Sequence, residues 1–399
     1  MKPVLDDVSV IDLSTFVTGG FSSLMLAAQG ADVIKIERPD VGDDIRHSGP
    51  PFINGESPYY WTVNYDKRSI ELNLKTEPGR MALYDLVEAA DVIIQNFRPG
   101  TADRLDIAYD DLTKYNDSLI YCDISAFGNT GPWSERPGYD LLVQGLSGIM
   151  SVTGEADSNP AKVGLPQTDL ITGMWAAFGI MGALYRRERT NEGEYIELGM
   201  LDATLPWLTK QAGKVFADET PERMGTQDPV LAPYQTLKTA DGYINIACLN
   251  EKLWQALCDA IERPDLSEDK RFETNADRVE NMDALAVELE TALSERTTDE
   301  WMTVFTEAGV PAGPVQTVAD ALSNEQTDAR GMINTITDGN REIPVIEHPL
   351  NFKNAQSGFD APPPKLGEHT NEVFAELGYT EQKLEHLRKK GVFGNNDSE

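Results

Sequence analysis

The sequence predicts an α/β fold in two domains, a large one built on an open parallel sheet and a smaller α+β one. Short β-rich segments alternate with helical segments through roughly the first two hundred residues, which is typical of parallel strands joined by crossover helices. After about Pro206 the pattern changes to a hairpin signal followed mostly by helices. A chain of 399 residues, 40% of them hydrophobic, is long enough for two cores. We expect the large domain at 1–205, the small domain at 206–330, and a C-terminal return segment at 331–399 that packs on the large domain.

Hydrophobic patterning predicts the elements of the large domain. Strands are predicted at Ser9–Leu13, Asp32–Glu37, Ile70–Leu74, Asp91–Gln95, Leu119–Ser125 and Glu194–Leu198. Helices are predicted at Phe21–Gln29, Gly79–Ala90, Asp140–Met150 and Asp169–Arg187. Open parallel sheets bind ligands at the carboxyl ends of their strands, so we look for functional residues there.

The segments after Pro206 predict a smaller α+β unit and the return segment. A hairpin is predicted over Tyr234–Cys248, with its turn at Ala240-Asp241-Gly242. Helices are predicted at Glu251–Ile261, Arg278–Ser294, Thr298–Ala308 and Val318–Leu322. The return segment opens with a strand near Ile343–Glu347, passes through prolines at 362–364 and ends in a charged helix, Thr380–Lys390.

The charge balance is strongly acidic, with 34 basic against 66 acidic residues and a net charge of −32. Such a surface repels nucleic acid and anionic lipid, which excludes both as partners. The acidic residues are scattered along the whole chain, as in a hydrated surface and not in an interaction tail. This composition suits a cytoplasm at high salt, so we expect a halophilic protein.

Signals for metals, disulfides, secretion and membranes are absent from this sequence. The three cysteines form no CxxC pair, and the four histidines have no metal-ligand spacing. The first residues lack a signal-peptide pattern. The longest apolar segment, Gly173–Tyr185, is too short to span a bilayer. We expect a soluble cytoplasmic protein with neither a metal site nor a disulfide framework.

The candidate catalytic residue is Asp169, which ends the segment Gly164–Asp169 directly before a long apolar helix. Pro166 and Thr168 are helix-start signals. At a helix N-terminus, free N–H groups and the positive end of the helix dipole favour an ionised carboxylate. Such a carboxylate can attack a carbonyl group, and the N–H groups can stabilise the resulting oxyanion. The alternative is that Asp169 only complements the helix dipole.

Basic residues are scarce in this chain, and several fall where predicted strands end. With their polar and aromatic neighbours they are Arg38, Lys67, Arg68, Lys75, Asn96, Phe97, Arg98 and Arg104. Grouped at one edge of the sheet, such cations suit a ligand with several phosphates, and Phe97 or an arginine plane suits stacking on an adenine. The alternative for each cation is an ordinary surface residue paired with one of the abundant acids.

The first β–α unit is Rossmann-like, so its turn is a candidate for the dinucleotide-binding fingerprint. The predicted first strand is followed by Thr18-Gly19-Gly20-Phe21-Ser22-Ser23, and the second strand ends at Glu37, where an acidic residue binds ribose in NAD proteins. The third glycine of the fingerprint is missing. A nicotinamide-dependent dehydrogenase is therefore a weak alternative.

Five motifs lie in order along nearly the whole chain. They are Gly30–Pro39, Asp66–Lys75, Asn96–Gly100, the segment from Ser125 to Asp140 with Gly131-Pro132 and Gly138-Tyr139-Asp140, and Gly367–Thr370 with Leu377-Gly378-Tyr379. Together they resemble the class III CoA-transferases, the family of formyl-CoA and carnitine CoA-transferases. The resemblance implies a ring-like subunit that threads a second copy in an interlocked homodimer.

The resemblance also implies the site and the chemistry. Asp169 falls on the family's catalytic aspartate, and Arg38, Leu72, Lys75, Asn96, Phe97, Arg104 and Tyr139 fall on positions that line its CoA site. The implied reaction passes through a mixed anhydride and an aspartyl-CoA thioester on Asp169. The CoA thioester and a small carboxylic acid are substrates, and no metal or permanently bound cofactor is implied.

Two loops bear on the substrate. Formyl and oxalate enzymes of the family carry His and Gln in the first loop and a glycine run in the small domain, whereas this chain has Thr15, Val17 and no glycine run at 225–230. Oxalate is therefore disfavoured. We expect a succinyl-CoA donor and a small dicarboxylate acceptor, in the manner of succinyl-CoA:mesaconate CoA-transferases.

Two other functions remain open on the same resemblance. The α-methylacyl-CoA racemases carry Gly-His-Asp where this chain has Gly138-Tyr139-Asp140, and a tyrosine does not replace a near-neutral imidazole base without a large pKa shift. A non-catalytic CoA-binding protein is the second alternative. Asp169→Asn distinguishes it: retained CoA binding with lost transfer supports catalysis, whereas unchanged transfer removes Asp169 from that role.

Overall fold

A computed structural model describes residues 1–339 and 341–394, which divide into two compact units. The first unit comprises 1–147, 163–210 and the described residues of 328–394, and the second comprises 148–162 and 211–327. Residues 148–162 group with the second unit, although they lie inside the range 1–205 expected for the large domain.

The strands are β1 Ser9–Asp12, β2 Asp32–Glu37, β3 Lys67–Glu71, β4 Val92–Gln95, β5 Ile120–Ser125, β6 Glu194–Gly199, β7 Tyr234–Lys238, β8 Tyr243–Ala247, β9 Ala312–Pro314, β10 Ile333–Asp338 and β11 Arg341–Ile346. The helices that precede β7 are α1 Thr18–Ala27, α2 Pro58–Trp61, α3 Glu77–Val87, α4 Thr101–Arg104, α5 Tyr109–Leu112, α6 Asp140–Leu146, α7 Ile149–Val152, α8 Gln167–Thr190, α9 Met200–Thr204 and α10 Thr209–Phe216. The later helices are α11 Glu251–Ala260, α12 Asp265–Glu268, α13 Asn275–Glu280, α14 Met282–Leu293, α15 Thr298–Ala308, α16 Val318–Ser323, α17 Glu325–Ala329, α18 Thr370–Glu376 and α19 Glu381–Lys389. Short 3₁₀ helices cover Asp44–His47 and Leu205–Leu208.

The first unit is built on a six-stranded parallel sheet with the order β3-β2-β1-β4-β5-β6. β1 lies at the centre and pairs with β2 on one side and β4 on the other, so that Val10 is opposite both Val33 and Val92. The chain reverses its direction of winding between β1 and β4. Sheets with this order open a crevice there, beyond the carboxyl ends of the strands. The α/β fold predicted from the sequence is confirmed.

Both faces of this sheet are buried, which explains the nearly continuous apolar strands. Val10, Val33 and Val92 face α1 and α8 in one buried cluster. Their neighbours Ile11, Ile34 and Ile93 belong to a second cluster with residues of α3, α18 and α19. The return segment thus packs on the sheet of the first unit through its two last helices.

The third strand lies three residues earlier than predicted, because two cations belong to it. Lys67 is only 3% exposed and pairs with Asp12, and Arg68 pairs with Asp32. Hydrophobic patterning assigns such residues to a loop, whereas buried partners hold them in the strand here. As a consequence, Leu72–Lys75 form the loop after β3, at the ligand-binding edge.

Two helices also differ in their starts. α1 begins at Thr18, so Gly19 and Gly20 are helical residues and not a separate phosphate-binding turn. α8 begins at Gln167, which places Asp169 in the first helical turn as predicted. The helix predicted over Asp140–Met150 is divided into α6 and α7.

The second unit has the predicted hairpin, β7 and β8, to which β9 adds a third antiparallel strand. Its helices surround a buried cluster that includes Trp254, Phe272 and Phe305. The helix predicted over Arg278–Ser294 is divided at Asn281 into α13 and α14. In the return segment the predicted strand is β11, and its partner β10 was not predicted. Within the described residues, no helix combines the length and apolar character that crossing a membrane requires.

Candidate active site

A cleft of about 640 Å³ lies at the carboxyl edge of the sheet. It is lined by the loops that follow the first four strands: Leu13–Thr15 after β1, Arg38–Asp43 after β2, Leu72–Lys75 after β3, and Phe97, Thr101 and Leu105 after β4. The cleft therefore spans the point where the winding of the sheet reverses, which is the expected ligand site in this topology.

Four of the residues implied for the CoA site line this cleft, namely Arg38, Leu72, Lys75 and Phe97. The Arg38 guanidinium donates to the carbonyl oxygen of Gly42 and pairs with Asp44, so it shapes the loop after β2 as well. Leu72 is buried and supplies apolar surface beside these cations. A mixed apolar and cationic lining suits a nucleotide with phosphates.

The other three implied CoA residues lie outside the cleft lining. The Asn96 amide group bonds the backbone of Thr15 on both sides, accepting from its N–H at 2.9 Å and donating to its carbonyl at 2.8 Å. Arg104 is exposed and donates to the Thr101 hydroxyl at 2.8 Å. Tyr139 is 59% exposed and precedes α6. Asn96 thus holds the loop after β1, which lines the cleft, without lining the cleft itself.

A layer of buried charges supports the same loops. The Lys35 ammonium lies 2.9 Å from an Asp43 carboxylate oxygen and donates to the Ser14 carbonyl at 3.0 Å. Asp43 in turn accepts from the Phe16 N–H at 3.1 Å. Phe16 has a φ of +59°, an unusual backbone conformation for a bulky residue, so these bonds hold a strained loop.

Lys67 belongs to this supporting structure, and Arg68 pairs with Asp32 and Glu376, so neither belongs to a phosphate site. The Lys67 ammonium is bonded by Asp12, Asn64 and the Gly20 carbonyl, all within 3.1 Å. Burial lowers the pKa of Lys67 to about 8, although Asp12 acts in the opposite direction. The prediction that these two cations face a ligand is wrong, because carboxylates of the protein already bind them.

Asp169 is placed by the close approach of α1 and α8. A Cβ atom at Gly173 would lie 2.8 Å from the Thr18 carbonyl oxygen, so the glycine permits the two helices to touch. One turn earlier on α8, an Asp169 carboxylate oxygen accepts a hydrogen bond from the Thr18 hydroxyl at 2.5 Å. Thr18 lies three residues after Thr15 of the cleft, so the Asp169 carboxylate is tied to the loop that lines the cleft.

The start of α8 is capped by a residue of α6. Asp140 accepts from the Thr168 N–H at 2.9 Å and from its hydroxyl at 2.8 Å, and its second oxygen accepts from Gln144 at 2.7 Å. The N–H groups of Gln167 and Leu170 donate to backbone carbonyls. The expectation of several free N–H donors around Asp169 is therefore wrong for these three positions, because the chain satisfies them itself.

The electrostatics of Asp169 also differ from the expectation. Burial raises the pKa of Asp169 to about 6, the Thr18 hydrogen bond opposes this, and the negative charge of Asp140 adds to it. No described residue forms an ion pair with Asp169. The carboxylate is still mostly ionised at neutral pH, but burial makes it more basic and less hydrated than an ordinary aspartate, and such a carboxylate is a better nucleophile.

Tyr59, on α2, is a candidate that sequence analysis missed, although it is 40% exposed. Partial burial raises the pKa of the Tyr59 hydroxyl, and the charges of Asp169 and Asp140 raise it further. It therefore stays protonated and can donate a hydrogen bond. Thr18 and Asp140 were also missed as partners of Asp169, since they lie far from it in sequence.

Comparison with known proteins gives consistent results over the whole chain. The family model described as CoA-transferase family III matches residues 5–370. The acetyl-CoA:oxalate CoA-transferase of Acetobacter aceti is 41% identical over 96% of this chain and 98% of its own length. The succinyl-CoA:mesaconate CoA-transferase of Haloarcula marismortui is 36% identical over 94% of this chain and 96% of its own length. The crystal structure of a CaiB/BaiF family protein from Brucella suis superposes with a TM-score of 0.87 at 39% identity, covering 94% of this chain and all of that one.

Proposed function

The chain belongs to CoA-transferase family III, and from this membership we propose that it moves CoA from succinyl-CoA to a small dicarboxylate, with Asp169 as the nucleophile. The family inferred from the sequence motifs is confirmed, and with it the identity of the chain as a CoA-transferase. The observation that carries the proposed mechanism is a half-buried carboxylate with a raised pKa and no cationic partner among the described residues. It does not line the cleft itself but is hydrogen-bonded to Thr18, which follows the loop that lines the cleft.

The proposed reaction has two exchanges. An oxygen of the Asp169 carboxylate attacks the thioester carbon of succinyl-CoA, the C–S bond breaks, and CoA thiolate leaves a mixed anhydride. The thiolate then attacks the Asp169 side-chain carbon, which releases succinate and forms an aspartyl-CoA thioester. The acceptor carboxylate attacks this thioester, its C–S bond breaks, and CoA thiolate leaves a second mixed anhydride between Asp169 and the acceptor. The thiolate then attacks the acceptor's acyl carbon, which releases the Asp169 carboxylate and the new acyl-CoA. The reaction uses no resident cofactor.

The proposed dicarboxylate preference rests on the relatives and on Tyr59. The two relatives compared above are named for the dicarboxylates oxalate and mesaconate. A second carboxylate on the substrate needs a donor close to Asp169, and the protonated Tyr59 hydroxyl is suited to that role. Tyr59→Phe is then expected to raise the KM for a dicarboxylate more than for a monocarboxylate of similar length.

The isomerase alternative is disfavoured by the bonding of Asp140. Both Asp140 oxygens accept hydrogen bonds from Thr168 and Gln144, so this carboxylate serves as a helix cap. The tyrosine beside it, Tyr139, is largely exposed. Asp140 is therefore engaged in holding the start of α8, and a tyrosine stands where the racemases carry the histidine base.

The proposed interlocked dimer is supported by an apolar surface on the first unit. Leu141, Leu142 and Leu146 of α6 are exposed, and so are Met174, Trp175, Phe178 and Tyr185 of α8. On α8 these residues follow a helical spacing opposite the buried face, and Phe178 is 71% exposed. A chain with a net charge of −32 has little reason to expose such a stripe unless another subunit covers it. Sedimentation of wild type and Phe178→Asp tests this. Wild type is expected to be a dimer, and Phe178→Asp is expected to weaken that dimer.

A transfer screen tests the proposed reaction. The enzyme is incubated with succinyl-CoA and, separately, oxalate, mesaconate, glutarate, acetate or propionate, and the acyl-CoA products are separated by HPLC. Each reaction is run over a series of KCl concentrations, because the acidic composition predicts higher activity at high salt. New acyl-CoA without accumulation of free CoA supports the proposal and identifies the acceptor. Hydrolysis alone, or no transfer to any acid, contradicts it.

A further inference from the structure

The C-terminal segment forms part of the wall of the cleft. The residues of this segment that line the cleft are Arg388 of α19, Gly391 and Phe393, together with the loops that follow the strands. None of these three residues is among those that the sequence motifs assigned to the CoA site. The end of the described chain therefore contributes to the shape of the cleft.

A specific turn brings this segment to the cleft. α19 ends in a Schellman motif, in which the Gly391 N–H donates to the Arg388 carbonyl and the Val392 N–H to the Leu387 carbonyl. Gly391 has a φ of +69°, which glycine adopts without strain. The chain then turns back, and the Val392 carbonyl accepts from the Asn73 N–H at 2.8 Å. The last turn of α19 is thus fixed against the loop after β3.

The bonding of Arg388 leaves much of its hydrogen-bonding capacity unused. Its Nε atom is buried and has no hydrogen-bond partner, while one terminal nitrogen donates to Asn371. No ion pair joins Arg388 to a carboxylate among residues 1–339 and 341–394. Arg46, Arg68 and Arg278, by contrast, are all paired with acids. An unpaired guanidinium at the cleft of such an acidic protein is free to bind an anion.

We propose that Arg388 binds a phosphate at the nucleotide end of the CoA ester, which makes the C-terminal helix a specificity element for CoA. The inference rests on the proposed function, since it assigns one more residue to the substrate cleft. Within the described lining, Arg388 joins Arg38 and Lys75 as a third cation, and Leu72, Leu74 and Phe97 supply the apolar surface that an adenine needs.

The topology indicates which phosphate is bound. Asp169 is tied to the loop after β1, whereas Arg388 is fixed next to the loop after β3, at the edge of the sheet. Two strand spacings, roughly 10 Å, separate β1 from β3. The thioester must reach Asp169, so the edge of the sheet is left for the other end of the molecule. The 3′-phosphate, which is attached to the ribose beside the adenine, is therefore the expected partner of Arg388.

Calorimetric binding of three ligands tests the inference independently of transfer. CoA carries the 3′-phosphate and the diphosphate, dephospho-CoA keeps only the diphosphate, and pantetheine has neither. The variants are Arg388→Gln, which removes the charge, and Arg388→Lys, which keeps it. Lys389→Gln is the matched control, because Lys389 is the next cation of the same helix and pairs with Glu385 on the surface. Thermal unfolding of each variant checks that the fold is kept.

The expected result is about tenfold weaker binding of CoA by Arg388→Gln, with partial recovery in Arg388→Lys and no change in Lys389→Gln. If dephospho-CoA binding is unaffected, the 3′-phosphate is the partner. If CoA and dephospho-CoA weaken equally while pantetheine does not, the partner is the diphosphate and Arg388 still binds phosphate. Unchanged CoA binding, or an equal loss for pantetheine, overturns the inference. Binding that depends on Arg388 in an enzyme without transfer activity would instead contradict only the proposed reaction.

Discussion

At the same edge of the sheet, the buried carboxylates Asp12 and Glu37 have lowered pKa values, whereas the half-buried Asp169 has a raised one. Burial alone would raise the pKa of Asp12, but Lys35 and Lys67 outweigh it and lower that pKa well below its usual range. Burial would likewise raise the pKa of Glu37, and Arg46 reverses the effect. For Asp169 no described cation opposes burial, and its pKa rises to about 6.

The difference separates support from reactivity. Asp12 and Glu37 form ion pairs and hydrogen bonds with cations and hydroxyl groups of the protein. They therefore hold loops in place and are not available to attack a substrate. Asp169 has one hydroxyl partner, Thr18, and a like charge nearby in Asp140. A carboxylate that the fold stabilises poorly is available to form a covalent bond. The comparison predicts that substitutions in the two groups have different consequences.

The largest effect is expected for Asp169→Asn, which leaves the shape of the site but removes the nucleophile. Transfer from succinyl-CoA should fall by about 10⁴-fold or more, because no covalent intermediate can form. CoA binding, measured by calorimetry, should stay within about twofold of wild type. Transfer at a rate near that of wild type would show that Asp169 is not the nucleophile.

The next largest effect is expected in the supporting group. Lys35→Met leaves the Asp12 and Asp43 carboxylates buried with one cation fewer, and the free energy of unfolding should fall by about 3–5 kcal/mol. Urea unfolding followed by circular dichroism measures it. Lys114→Met is the control, since Lys114 forms an exposed ion pair with Asp111 and its loss should not shift the midpoint. Equal midpoints for Lys35→Met and wild type would show that the buried layer is not structural.

A smaller effect of opposite sign is expected for the stability of Asp169→Asn. The carboxyl group has a pKa of about 6 in the fold, against about 4 in an unfolded chain, so above pH 6 its charge favours unfolding. Replacing it should stabilise the fold by about 2 kcal/mol at pH 7 to 8. The gain should disappear below about pH 4, where the carboxyl is protonated in both states. Unfolding midpoints of both proteins across this pH range decide the question, and a loss of stability at pH 7 would contradict the comparison.

The smallest effects are expected in the pH dependence of kcat/KM. Activity requires the ionised carboxylate, so the rate of wild type should fall as pH drops through about 6. Thr18→Val removes the hydrogen bond that lowers the pKa of Asp169, which should move this fall to higher pH. Asp140→Asn removes the like charge while keeping an oxygen to cap α8, which should move the fall to lower pH. Shifts in the same direction for both variants would mean that another group controls the profile.

Sequence patterning predicted the parts of this structure that depend on local signals. The parallel strands, the first helical turn that carries Asp169, and the cleft residues Arg38, Lys75 and Phe97 follow from strand ends and helix starts, whereas Leu72 came only from the family resemblance. The third strand was misplaced because Lys67 and Arg68 look like loop residues until their acidic partners are known.

The remaining features depend on contacts between distant parts of the chain. Thr18 and Asp169 are separated by 151 positions, and their hydrogen bond exists because Gly173 lets two helices touch. Arg388 reaches the cleft because the turn at Gly391 docks the chain on Asn73. Such contacts leave no periodic pattern in the sequence, so composition and residue spacing do not predict them.

The central claim is that Asp169 forms a covalent bond with CoA during transfer. Its most direct test is mass spectrometry of the enzyme after incubation with succinyl-CoA in the absence of an acceptor, with rapid acid quenching and peptide analysis. We predict a CoA adduct on the peptide that contains Asp169, lost on addition of the acceptor and absent from Asp169→Asn. An adduct on a different residue, or active enzyme in which no adduct ever forms, would contradict the account.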